Sequence, residues 1–203
     1  MDGADADDVA SLPVGRRDAR LLGVHAAIGR AALEATAACP GCGTAAEFAL
    51  DVEALLARAD EASEPEALEL DGQVVAWRSP DSRDVAAASL APDAVEAERA
   101  LLARCVGASA LTDEQRRAVT AAMADADPLA EVLIDMACPA CGEPFVADLD
   151  VAQFVWAEVR ARALGLLRDV DALARAYGWT EEQVLALGDT RRGAYLELVE
   201  GAA

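Results

Sequence analysis

The chain has 203 residues, 54% of them hydrophobic but only 4% aromatic, and 50 are alanine, so the composition predicts a helix-rich fold whose core is built from small apolar side chains. Thirty-seven Asp and Glu face 17 basic residues, every one an arginine, for a formal net charge of −20. That balance opposes binding to nucleic-acid phosphates or anionic lipid and suits partner proteins with cationic or amphipathic surfaces.

In chain order, residues 1–11 read as a disordered acidic tail. The opening Met1–Asp8 lacks the basic-then-apolar pattern of a secretory signal, and no run approaches the ~18 apolar residues of a membrane span. A cytoplasmic protein with no membrane partner is expected. Gly15–Ile28 is a predicted helix with Leu21, Leu22, His25 and Ile28 near one face. Residues 51–71 carry eight acids against one base, Arg58, and Glu61–Glu66 with Pro65 reads as an acidic linker. Asp71-Gly72 between Leu68-Glu69-Leu70 and Val74-Val75-Ala76-Trp77 predicts a two-residue type I′ hairpin.

Ser79–Asp84 is a turn entering a helix, and Pro92 suits the first turn of another that runs to Val106 and stops at Gly107. Thr112-Asp113-Glu114-Gln115 is a capping box for a helix to about Ala126, ended by Asp127-Pro128. From Val151 an apolar stripe through Phe154, Val155, Val159, Leu166, Val170 and Leu173 reaches Tyr177, which makes a helix about 40 Å long. Thr180–Gln183 opens a short helix, and Asp189 is read as the cap of a last one through Leu198.

Cysteine spacing carries the chemistry. Four of the five cysteines form two matching turns, Cys39-Pro40-Gly41-Cys42-Gly43 and Cys138-Pro139-Ala140-Cys141-Gly142. The match extends ungapped at an offset of 99, pairing Leu50 with Leu149, Asp51-Val52 with Asp150-Val151, and Leu55 with Phe154. Each copy reads as strand, knuckle, strand and helix, an internal repeat. A CxxC turn offers two thiolates to one side of a tetrahedron, so two knuckles complete a four-cysteine structural zinc site at Cys39, Cys42, Cys138 and Cys141. With 95 residues between the knuckles, this is an interrupted zinc ribbon whose sheet would tie both repeats together. Redox thiols are the competing reading, but a thioredoxin-type CxxC opens a helix, whereas here a second extended run follows. An odd cysteine count also argues against a disulfide framework.

The remaining reactive residues read as structural. Cys105 falls among Val95, Leu101, Leu102 and Val106 on a helix, as a buried core thiol. His25, the single histidine, sits on an apolar helix face. No nucleophile–histidine arrangement and no phosphate-binding glycine loop is present, so no catalytic or nucleotide-binding residue is assigned. A helix-turn-helix over Leu173–Leu187 would place Glu181 and Glu182 against phosphate, so that segment reads as a protein-contact corner. The fold class is thus α+β: helix-rich, with small antiparallel hairpins forming the interrupted ribbon in residues 12–150, and a C-terminal helical segment, 151–203, packed on that first region.

Five stretches also carry a resemblance. Leu12-Pro13-Val14-Gly15-Arg16-Arg17-Asp18-Ala19-Arg20-Leu21-Leu22, both CPxCG knuckles, Pro80-Asp81-Ser82-Arg83-Asp84 and Tyr177-Gly178-Trp179-Thr180-Glu181-Glu182 are similar to the T-even-phage-type baseplate hub assembly chaperone family, in the zinc-ribbon-bearing form found beside contractile injection system genes. The resemblance spans about residues 12–200. It implies a cytoplasmic, non-enzymatic helper whose partners are baseplate or hub proteins of a phage-tail-like particle. Two alternatives are a zinc-ribbon accessory factor of transcription or RNA machinery, which a basic face would favour, and an enzyme, which a deep pocket of perturbed carboxylates would favour.

Overall fold

The computed structural model describes residues 6–29, 31–64, 67–107 and 111–201. In chain order the elements are α1 (Ala6–Ala10), α2 (Val14–Ala27), β1 (Ala32–Ala38), β2 (Ala45–Asp51), α3 (Val52–Asp60), β3 (Leu68–Leu70), β4 (Gln73–Val75), α4 (Ser82–Ala88), α5 (Ala94–Cys105), α6 (Asp113–Ala126), β5 (Leu133–Ala137), β6 (Pro144–Asp148), α7 (Val151–Tyr177), α8 (Glu181–Leu185) and α9 (Asp189–Glu200). This is the helix-rich α+β class. The chain divides into two compact units, Met1–Ala152 and Gln153–Ala203, and α7 crosses the division.

Both copies of the repeat form antiparallel hairpins in one register. Glu34 pairs with Ala49 in the first, and Leu133 with Asp148 in the second, which is the same register carried forward by 99 residues. Ladder bonds join β1 to β2, β3 to β4 and β5 to β6 and, among the described residues, go no further. The expected single sheet across the repeats is therefore corrected to two separate hairpins. Exposure alternates along both strands, with Leu33 buried in β1 and Ile134 and Met136 half-buried in β5. The Asp71-Gly72 turn has φ values of 52° and 75°, the left-handed pair a type I′ turn requires.

The first unit is knotted together where three loop ends meet. The Val14 amide at the start of α2 donates to the Pro80 carbonyl at 3.0 Å, and Pro13 and Asp81 form an isolated antiparallel bridge. The Gly15 amide donates to Asp127 Oδ2 at 2.9 Å, so close that a Cβ on Gly15 would lie 1.9 Å from Asp127 Oδ1. Arg17 reaches Ser82 Oγ at 3.0 Å and Asp18 Oδ1 at 2.7 Å, while burial pushes the Asp18 carboxyl above its ordinary pKa.

A core of Val75, Leu102, Cys105, Val106, Val119 and Met123 lies beside this knot, with Leu68, Leu70, Trp77 and Leu111 packed against it. Asp84 is the charged member of the same region. Fully buried, it accepts two bonds from Arg78 (2.5 and 2.9 Å), one from Arg104 Nε (2.8 Å) and one from the Asp81 amide (3.0 Å). The Arg78 guanidinium, more than any other group, holds its carboxyl well below the usual carboxylate range.

Several boundaries differ from expectation. The tail over residues 1–11 falls partly outside the described residues. In its described part, α1 closes through Ser11 N–H to the Asp7 carbonyl (3.1 Å), and Asp7 pairs with Arg83 at 2.7 Å. Two residues of the acidic linker, 65 and 66, also lie outside the described residues. Pro92 precedes the cap of α5 rather than starting the helix, because Asp93 takes the N-cap and accepts from the Glu96 amide. The helix ends one residue early because Val106 turns extended to bridge Trp77. Asp189 is not the cap of α9. Gly188 holds that position, and the Asp189 carboxylate pairs with Arg192 at 2.6 Å and Arg162 at 2.9 Å.

In the second unit Leu173 and Val184 are fully buried, and Arg192 is buried between Asp169 (3.1 Å) and Asp189. Tyr177, Trp179 and Tyr195 pack on one another with centroid distances of 4.8–5.7 Å, stacked and edge-on.

Candidate metal centre

Each knuckle is built from its own backbone. In the first, the Cys39 amide donates to the Thr44 carbonyl at 2.9 Å and the Gly43 amide to the Cys39 carbonyl at 2.8 Å. In the second, the Cys138 amide donates to the Glu143 carbonyl at 2.9 Å and the Gly142 amide to the Cys138 carbonyl at 2.9 Å. Gly43 and Gly142 both take φ of 75°, a left-handed conformation that costs a glycine little, which lets the chain turn after the second cysteine into the return strand. Burial repeats too: Cys39 and Cys138 are buried, Cys42 and Cys141 exposed.

The two knuckles meet. Cys39 Sγ lies 3.8 Å from Cys141 Sγ, Cys42 Sγ lies 3.5 Å from Cys138 Sγ, and all four sulfurs fall within 4.8 Å of one another. A tetrahedron of sulfurs bonded at ~2.3 Å to a central zinc has edges of about 3.8 Å, close to the two inter-knuckle separations, so the donor set suits a metal of that size. Segments 95 residues apart in sequence thereby form one four-cysteine cluster, the only group of three or more His, Cys, Asp or Glu at metal-binding distance among the described residues.

The electrostatics are compatible with a bound cation. Hydrogen bonding by the Thr44 hydroxyl and amide pulls Cys42 down to about 6, and the amides of Cys141 and Ala140 lower Cys138. At Cys141 the Glu143 amide also pulls down, but protons shared with Cys138, Cys42 and Cys39 outweigh it and push the thiol up to about 12. Hydrogen bonding thus favours the thiolate at Cys42 and Cys138, and thiolates held side by side repel. A divalent ion at the centre relieves that repulsion. Thr44 and Glu143, each two residues past its knuckle's second cysteine, are supporting residues that ligand spacing alone does not reveal.

The other candidates stay apart from this site. Cys105 lies outside the cluster, buried, its thiol pushed up to about 11 by burial and then by Asp84. His25 is fully buried, with Nε2 3.3 Å from the Ala32 carbonyl at the start of β1. No helix among the described residues is long and apolar enough to cross a membrane. No protein-family model, curated protein or solved structure matches the chain.

Proposed function

We propose that this protein is a cytoplasmic, non-enzymatic assembly chaperone for the baseplate hub of a phage-tail-like contractile injection system, and that Cys39, Cys42, Cys138 and Cys141 hold one structural zinc ion. Zinc with four thiolates has no open position for substrate, so its contribution is to clamp the two hairpins. The observation that carries the assembly reading is the convergence of the residues behind the family resemblance. Leu12–Asp18 and Pro80–Asp84 join at one knot through the Val14–Pro80 and Arg17–Ser82 bonds, while the two knuckles join at the sulfur cluster.

Surface chemistry supports a binding role. Trp156 is 67% exposed and Leu198 63%, and Leu164, Leu167 and Tyr177 are exposed with them in the C-terminal unit. Exposed tryptophan and tyrosine are common anchors of protein interfaces. The accessory-factor alternative would need a cationic face in a chain with a net charge of −20.

Deleting the gene in a host that makes such a particle should abolish assembled baseplates while tube and sheath proteins are still produced. Complementation with a Trp156→Ala, Leu167→Ala variant that keeps its metal should restore assembly poorly. Normal particle yield after the deletion refutes the assembly role.

A further inference from the structure

The sulfur cluster has a second chemistry that does not depend on which cation it holds. Two sulfur contacts, Cys39–Cys141 at 3.8 Å and Cys42–Cys138 at 3.5 Å, run between the knuckles. Each joins one exposed sulfur to one buried sulfur, because Cys42 and Cys141 are exposed whereas Cys39 and Cys138 are only 2% and 3% accessible. An oxidant arriving from solvent therefore meets the outer sulfur of each contact, with a resolving sulfur directly behind it.

We propose that the cluster is an oxidation site for hydrogen peroxide, at which the four sulfurs close into two disulfides that both cross between the knuckles, Cys39 with Cys141 and Cys42 with Cys138. In each pair the exposed sulfur attacks a peroxide oxygen, the O–O bond breaks, and one water leaves as a sulfenic acid forms. The buried sulfur then attacks that sulfenic sulfur, the S–S bond forms, the S–O bond breaks, and a second water leaves. Two thiols and one peroxide give one disulfide and two waters, with sulfur oxidised and the peroxide oxygens reduced. If the sulfurs begin as ligands of a divalent ion, four protons come from solvent in place of the thiol hydrogens and the ion is released.

Closing each contact to a disulfide length of ~2.05 Å brings the sulfurs together by about 1.5–1.8 Å, a movement of two side chains on turns whose own hydrogen bonds need not break. The nearby resolving sulfur also intercepts the sulfenic acid before a second peroxide reaches it. The consequence is a clamp that survives oxidation. Disulfides within each CxxC would cut the link between the hairpins when the ion left, whereas crossed disulfides replace it.

The full-length protein is treated with two equivalents of hydrogen peroxide, alkylated with N-ethylmaleimide in denaturant and digested with trypsin. Cleavage after arginine places Cys39 and Cys42 on residues 31–58, Cys138 and Cys141 on residues 118–160, and Cys105 on residues 105–116. The expected result is an intact mass, measured before alkylation, lower by four hydrogen atoms, peptides 31–58 and 118–160 joined, the two named pairings assigned by backbone fragmentation between Cys39 and Cys42 and between Cys138 and Cys141, and an alkylated Cys105. Separate peptides with internal disulfides, the opposite crossed pairing, sulfinic acids, or four alkylated thiols each overturn the proposal. Zinc measured before oxidation keeps the two readings distinct. A zinc-free protein that cross-links as stated defeats the zinc reading alone, and a zinc-loaded protein that forms internal disulfides defeats this one alone.

Discussion

Replacing Asp84 by asparagine removes one negative charge from a fully buried position and changes almost no volume. The carboxylate accepts three bonds from Arg78 and Arg104 and one from the Asp81 amide. An asparagine keeps one acceptor oxygen but turns its NH₂ toward guanidinium donors, so about two charge-assisted bonds are lost at roughly 1.5–3 kcal/mol each. The two arginine side chains are 47% and 45% exposed and recover hydration, which places the loss near the lower end, about 3 kcal/mol. With a urea slope of about 2 kcal/mol per molar, the unfolding midpoint of the first unit should fall by roughly 1.5 M.

The pH dependence has a definite sign. Because the Arg78 guanidinium lowers the folded-state pKa of Asp84, its stabilisation is present above the ordinary carboxylate value and fades as pH falls toward the folded one. The gap between wild type and Asp84→Asn should therefore be full at pH 7 and narrow below about pH 4. Arg83→Ala, which breaks the solvent-exposed pair with Asp7, serves as the control and should leave the midpoint unresolved from wild type. A shift under about 0.5 M for Asp84→Asn, or a gap that stays constant down to pH 3, refutes this account of the buried charge.

Two substitutions on α2 should move stability in opposite directions. Gly15→Ala drives a methyl into Asp127 and should cost about 2 kcal/mol, read as a Tm lower by roughly 4–8 °C, whereas Gly23→Ala meets nothing within 4 Å and should raise Tm slightly. Elemental analysis of the purified protein should find one zinc per chain, lost in Cys141→Ser and kept in Cys105→Ser; retention in the first variant would dissolve the four-cysteine assignment. A mobility-shift titration at micromolar protein should show no retardation of DNA or RNA, since a Debye length of about 8 Å does not hide the acidic surface from phosphates in contact. Tight, steeply salt-dependent binding would restore the accessory-factor alternative.

What the sequence determined by itself was local in origin. The Asp71-Gly72 turn, the Thr112–Gln115 and Thr180–Gln183 capping boxes and the helix from Val151 to Tyr177 each follow from residues within a few positions of one another, and each forms as read. The repeat at an offset of 99 belongs with them, because identical local patterns produced identical hairpin registers and identical knuckles. Tertiary structure alone decided which distant segments touch. Sequence symmetry suggested that the knuckles meet, but only folding brings four sulfurs within 4.8 Å across 95 intervening residues, and it does so without a shared sheet. Asp84 reads as the end of a turn entering a helix, and it closes the capping box of α4 with Asp81, yet its burial beneath Arg78 and Arg104 depends on α5 packing beside it. Gly15 reads as the first residue of a helix, and only the fold shows that Asp127 occupies the space of its missing side chain. Asp189 reads as a cap, but Gly188 takes that position and the Asp189 carboxylate pairs with Arg162 and Arg192, from two different helices. Propensity and capping act over one helical turn, whereas burial of a charge and the close approach of two distant segments arise only from the packing of the whole unit.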